Sequence, residues 1–141
     1  MANNRIVIDT NVFISSIIGQ YGFAHKIFEE LVLSGEVTIC LSEQLLSEYK
    51  MVAERQRFRK IPNFVQKSKD LIDALVEIAE FYTPTDKISF ISDDPDNRVL
   101  EIAVEAQAEV IVTGNSSDFS FKEFEGILTQ TPREYYENYM N

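Results

Sequence analysis

The chain has 141 residues, 45% of them apolar, and a formal net charge of −10, which suits one domain with a real core. One cysteine, Cys40, rules out an intramolecular disulfide, and one histidine, His25, argues against a Ser/His/Asp triad or a histidine-rich zinc site. The acidic balance speaks against a general nucleic-acid-binding surface, no apolar run is long enough to span a membrane and no secretory leader opens the sequence, so a soluble cytoplasmic protein is expected.

The first element is Arg5-Ile6-Val7-Ile8 running into Asp9, Thr10 and Asn11. A short continuous apolar run of this kind suits a buried parallel strand. Asp9 then falls at its carboxyl end, where open α/β sheets bind ligands. Asp9 or Thr10 could equally be a plain cap for the helix expected over 11–18. Residues 23–34 carry a helical apolar stripe (Ala24, Ile27, Phe28, Leu31) ended by Gly35. His25 lies off that stripe and receives no catalytic role.

A second strand is expected over Val37–Leu41, with Cys40 buried and inert in it. Ser42 then caps a helix on which Leu41, Leu45, Glu48 and Val52 share one face. A carboxylate on an inward face needs a metal or a polar partner. A salt bridge or an edge-of-core position would serve Glu48 as well. The basic cluster from Lys50 to Lys60, with Arg55 and Arg57 and with Phe58 inside it, has the composition of a phosphate-binding patch, although solvated helix ends more often account for such runs. Asn63 is expected to cap a long helix reaching Phe81, with Val65, Leu71, Ile72, Leu75, Val76 and Ala79 on its apolar face.

Next comes Ser92-Asp93-Asp94-Pro95-Asp96-Asn97, read as a helix start with Asp94 as cap and Pro95 at the first helical position. First-turn acids favour the helix dipole, yet three carboxylates around one helix start also invite a cation. Val110-Ile111-Val112 repeats the opening plan, an apolar strand ending in Thr113-Gly114-Asn115-Ser116-Ser117-Asp118. Ile127-Leu128 makes a last short strand. Thr131-Pro132-Arg133-Glu134 is a capping box, and the final helix carries Tyr135, Tyr136 and Tyr139 as packing or interface residues.

Strand and helix thus alternate, which predicts an α/β domain with a central, mainly parallel sheet flanked by helices. Two strands end in polar clusters at one sheet edge, and two helices bring acids towards it. The converging set is Asp9, Glu48, Asp96 and the Asn115/Asp118 pair, all oxygen donors. All-oxygen ligation suits Mg²⁺ or Mn²⁺, ions that activate water and neutralise a phosphodiester. The residues therefore point to metal-assisted phosphodiester hydrolysis.

The order of these motifs resembles the PIN domain family. Ile8-Asp9-Thr10-Asn11-Val12 is similar to its first acidic motif, Ser42 to Tyr49 with Glu48 to its second, Asp93 to Asn97 followed by Leu100-Glu101-Ile102-Ala103 to its third, and Val112-Thr113-Gly114-Asn115 to its fourth. The resemblance implies one PIN-like nuclease domain over 1–141 and a Mg²⁺- or Mn²⁺-dependent ribonuclease. It carries metal ligation onto Asp9, Glu48 and Asp96, the last chosen because it directly precedes Asn97. Thr10, Asn11 and Thr113 would shape the site, and Arg55 and Arg57 would meet the RNA. Many relatives have aspartate where this chain has Asn115, so one charge is missing there, and Asp118 is the candidate to replace it. The subgroup resembled is the toxins of toxin–antitoxin pairs, VapC-like ribonucleases, which implies a small antitoxin partner and a homodimer. A catalytically weak RNA- or protein-binding module is the alternative, motivated by Asn115. A phosphatase of the haloacid dehalogenase type fits less well, because Asn11 stands where that chemistry needs a second aspartate.

Overall fold

Three consecutive residues of the first strand, Ile6, Val7 and Ile8, are completely buried. Neighbouring side chains in a strand point to opposite faces, so the sheet at that point is covered on both sides. The structure, a computed structural model, describes residues 4–85, 87–88, 94–114 and 123–141, the side chains of 94–96 excepted. In chain order the elements are β1 (Arg5–Ile8), α1 (Thr10–Ile18), α2 (Phe23–Lys26) continuing as a π-helical segment Ile27–Val32, β2 (Thr38–Leu41), α3 (Glu43–Ala53), a 3-10 turn Gln56–Phe58, α4 (Phe64–Ile78), β3 (Glu80–Phe81), α5 (Asp94–Ala106), β4 (Val110–Val112), β5 (Glu123–Phe124), β6 (Ile127–Gln130) and α6 (Pro132–Met140).

The strands form one sheet in the order β3-β2-β1-β4-β6-β5, and all neighbouring pairs are parallel except β5 with β6. Helix α5 packs against β1, β2 and β4, while α1, α3 and α4 pack against one another and α6 lies on β4 and β6. The expected α/β domain with a mainly parallel sheet flanked by helices is the fold observed. The chain places β2 on one side of β1 and β4 on the other. The carboxyl ends of β1 and β4 therefore border the crevice where strand order reverses, the position at which open α/β sheets bind ligands.

Several local expectations hold. Ser42 caps α3 by accepting from the Leu45 amide, Thr131 and Glu134 form the reciprocal capping box of α6, and Gly35 has a positive φ of 86° after the second helix. Cys40 is buried, and burial pushes its thiol up to about 12, which keeps it an unreactive protonated thiol.

Others are corrected. The stretch expected as one ordinary helix from 23 to 34 switches to π geometry at Ile27, with the Leu33 amide reaching back five residues to the Phe28 carbonyl at 2.8 Å. The helix expected to run to Phe81 stops at Ile78, because Ala79 turns extended and Glu80–Phe81 pair with Cys40–Leu41 instead. Asn63 sits in the left-handed region at φ 64° and makes no side-chain cap, a conformation asparagine tolerates better than most residues. The buried face of α4 is Phe64, Ser68, Ile72 and Leu75, whereas Val65 and Val76, expected in the core, are 46% and 47% exposed. A hairpin not expected from the sequence joins β5 to β6 through Glu125 and Gly126, both at positive φ, as a tight two-residue turn requires.

The corrected face of α4 separates two neighbouring residues. Leu75→Ala is expected to lower stability by about 2–5 kcal/mol through the cavity it leaves, and Val76→Ala to stay within about 0.5 kcal/mol. Urea unfolding of both variants checks this, and equal losses would contradict the packing described.

Candidate active site

Asp9 stands where β1 becomes α1. Its amide still belongs to the sheet, donating to the Val112 carbonyl at 2.9 Å, while its own carbonyl already accepts from Val12 and Phe13 in the helix. Its backbone is extended (φ −66°, ψ 152°) as an N-cap residue must be. The residue is only 7% exposed. One oxygen, Oδ1, accepts from the Thr10 amide at 2.8 Å, and the other, Oδ2, accepts from the Thr113 hydroxyl at 2.9 Å. The Asn11 side-chain amide lies 3.5 Å from the same Oδ2. Asp9 is thus the cap of α1 and is at the same time bonded across the sheet to Thr113.

Thr10 is the link to the second acid. Its amide faces Asp9 and its hydroxyl donates to Glu48 Oε2. Glu48 reaches this point because α3 runs alongside α1 and Leu45, Tyr49 and Ala53 form its buried stripe. Glu48 is therefore half-buried on the flank of that stripe rather than at its centre, which spares an ionised group full desolvation. Sequence spacing placed the stripe about one residue away from where it lies.

Tyr49 is the functional neighbour that sequence reading missed. It is fully buried, stacks on Phe13 with ring centroids 4.4 Å apart and an interplanar angle of 7°, and donates its hydroxyl to the Ile8 carbonyl. Burial, and then the negative charges of Asp9 and Glu48, push its phenol well above the usual tyrosine range. The ring floors the site as a neutral donor. The signal for it in the sequence is its place four residues after Leu45.

The fourth strand is tied to the first by two side chains. Besides the Thr113–Asp9 bond, the Gly114 amide donates to Asn11 Oδ1 at 3.1 Å. Thr10, Asn11 and Thr113 are thus brought together around Asp9. At the start of α5, Asn97 is buried. One turn on, the nearly buried Glu101 accepts from the Ile88 amide at 2.7 Å and pairs with Arg98 Nη2 at 2.8 Å, while Arg98 also donates to the Ile88 carbonyl. These bonds tie Ile88 to α5. The side chain of Asp96, and all of Asn115 and Asp118, lie outside the described residues.

Arg55 and Arg57 are exposed beyond the end of α3. Phe58 between the basic residues is not a platform for a base. It is buried and stacked on Phe64 at 4.9 Å, with the Arg57 guanidinium 4.8 Å above its ring.

The donors that meet at the switch point are hard oxygens, and neither cysteine nor histidine stands among them. That donor chemistry fits Mg²⁺ or Mn²⁺. Among the described residues no three acidic, histidine or cysteine side chains cluster closely enough to hold an ion. Asp9 and Glu48 are two carboxylates bridged through one threonine, and the third acid of the expected set, Asp96, belongs to the undescribed side chains.

A family model described as PIN domain matches residues 5–117, from β1 past β4. The uncharacterized protein MJ1680 of Methanocaldococcus jannaschii is 25% identical over 143 residues, covering 96% of this chain and 91% of that protein. Among solved structures, a chain of VapBC2 from Rickettsia felis, crystallised bound to a DNA fragment from its promoter, superposes with a TM-score of 0.58 at 15% identity, covering 90% of this chain and 98% of that one.

Tyr49→Phe removes the donor to Ile8 and is expected to cost about 1 kcal/mol at neutral pH. The raised phenol makes a second mark. The folded state holds Tyr49 neutral, so its contribution is complete below the unfolded tyrosine value of about 10 and is lost as pH rises beyond it. Stability of the unmutated protein should fall more steeply above pH ~10 than that of Tyr49→Phe in denaturant titrations across that range.

Proposed function

The chain belongs to the PIN domain family, and from that premise we propose that it is a metal-dependent endoribonuclease, the toxin of a toxin–antitoxin pair. The observation that carries the reading is the buried Asp9 carboxylate at the switch point, oriented by Thr10 and Thr113 and joined through Thr10 to Glu48. Asp9 and Glu48, with Asp96 from α5, would hold Mg²⁺ or Mn²⁺. Such an ion, when bound, supplies an activated water and neutralises charge on the phosphodiester.

The chain's own residues do the rest. The Thr10 amide and the Thr113 hydroxyl each occupy one oxygen of Asp9, so its remaining lone pairs have fixed directions before any ion arrives. Thr10 sets the rotamer of Glu48 through its hydroxyl. Asn11 holds Gly114, just beyond the fourth strand, against the first helix. Tyr49 closes the floor with a hydroxyl that stays protonated and already has an acceptor, so it is not the general base. Asn115 offers a neutral oxygen and Asp118 a charge to the fourth position. Arg55 and Arg57 are exposed cations suited to RNA phosphates. The VapBC2 likeness supports a small antitoxin as the cognate partner and a homodimer as the working form, in the cytoplasm where its RNA would be. Among the described residues no helix is long and apolar enough to cross a membrane.

The test is cleavage of a mixed set of structured RNAs with Mn²⁺, Mg²⁺ or EDTA, with an identically purified Asp9→Asn protein beside the unmutated one. Cleavage that requires metal and disappears in the variant is expected. Thr10→Val keeps both carboxylates and removes only the orienting hydroxyl, so activity or metal affinity should fall about 10–100-fold. RNA binding without turnover in either metal would replace the nuclease by a binding module, with Asn115 as the reason.

A further inference from the structure

The charge of this protein is unevenly spread. Residues 50–69 contain seven of the thirteen Lys and Arg residues and one of the 23 acids. The remainder holds 22 acids against six cations and repels a polyanion. In the fold, this cationic segment forms the corner between the end of α3 and the start of α4. A groove of about 550 Å³ lies there, rimmed by Lys50, Arg59 and Lys69 and floored by Ala53, Val65 and Ile72.

The three cations are exposed, and among the described residues none of them makes an ion pair. Arg5, Arg98 and Arg133, by contrast, are each paired with a carboxylate. Two acids, Glu54 and Asp73, share the rim, one turn along their helices from Lys50 and Lys69, and among the described residues neither forms an ion pair with them. Phe58 is buried, so no aromatic is offered for stacking, and the floor is aliphatic. A site of this composition reads phosphates and tolerates any base.

The groove is separate from the carboxylate site. Lys50 follows Glu48 by two residues, which is about 200° around a helix of 3.6 residues per turn. Glu48 faces α1 and Asp9, whereas Lys50 faces α4. Helix α3, about 10–12 Å across with its side chains, stands between them.

We propose that the α3–α4 groove is an RNA-backbone exosite. A single strand is held there by its phosphates through Lys50, Arg59 and Lys69, one helix width from the carboxylates that Asp9 and Glu48 present. The identity of the polyanion rests on the nuclease reading, while the groove itself does not. On a chain this acidic, such an exosite determines where a strand lands and from which side it crosses to the acidic edge.

The experiment is fluorescence anisotropy of a labelled single-stranded RNA with the unmutated protein, EDTA present to suspend cleavage, over a salt series. K50Q/R59Q/K69Q is compared with K26Q/K87Q/R133Q, which changes net charge equally at cations elsewhere. The groove set should weaken binding by about 10-fold or more and flatten the salt slope by about 2, the counterion release of three phosphates on a single strand. The control set should change affinity by less than about 3-fold. R59Q alone, at an exposed position that leaves packing intact, should shift both readouts in the same direction. Equal losses in the two sets would overturn the exosite, as would poly-glutamate of matched charge displacing the RNA as well as unlabelled RNA does. Cleavage judges the nuclease reading by itself. A protein that cleaves but binds through no groove keeps the enzyme and loses the exosite, and a protein that binds through the groove without cleaving does the reverse.

Discussion

An aspartate left at 7% exposure has lost most of its water, and the protein has to replace those hydrogen bonds. Asp9 is placed in that situation by the sheet itself, since its amide completes the ladder to β4. The bond from Thr113, 104 residues along the chain, is therefore more than a local contact. It requires β1 and β4 to be in register, and α5 packs across both of these strands. Thr10 then transmits the position of Asp9 to Glu48 across α1 and α3. Each acid is held by a group that is itself fixed by an element of the core, so the site is assembled when the sheet is.

Much of this was visible before any coordinates. Buried parallel strands are continuous apolar runs, and β1 and β4 each end such a run in oxygen-bearing side chains. Their juxtaposition followed from the alternation of strand and helix alone. Glu48 was legible by spacing but not its place on the flank of the stripe, because a reading confined to aliphatic residues passes over Tyr49, and Tyr49 is what turns the helix. The π segment left no trace, since widening the turn keeps Ile27, Phe28, Leu31 and Val32 on the inward side as an α-helix would. Strand β3 has two residues and hence no period to detect. The burial of Phe58 depends on Phe64, six residues away across a proline, which no local pattern reports.

The charge distribution gives the fold a polarity that the net charge of −10 conceals. Asp9 and Glu48 stand at the carboxyl edge of the sheet, while Lys50, Arg59 and Lys69 gather on the other side of α3. A polyanion approaching from solution is turned away from most of the surface and drawn to one corner. On the proposed reading, separation of an attracting region from a reacting one suits a protein whose carboxylates would otherwise repel the phosphates they would act upon.

The two outer strands, β3 and β5, are two residues long each. An edge that short exposes too few free amides and carbonyls to template the addition of another strand, and on one side the β5–β6 hairpin folds the margin back on itself. Among the described residues, growth of the sheet from molecule to molecule, the route to fibrils and to strand-exchanged pairs, is thereby disfavoured at both margins. Helices and loops, rather than these short edges, are the surfaces such a sheet leaves for assembly with another chain.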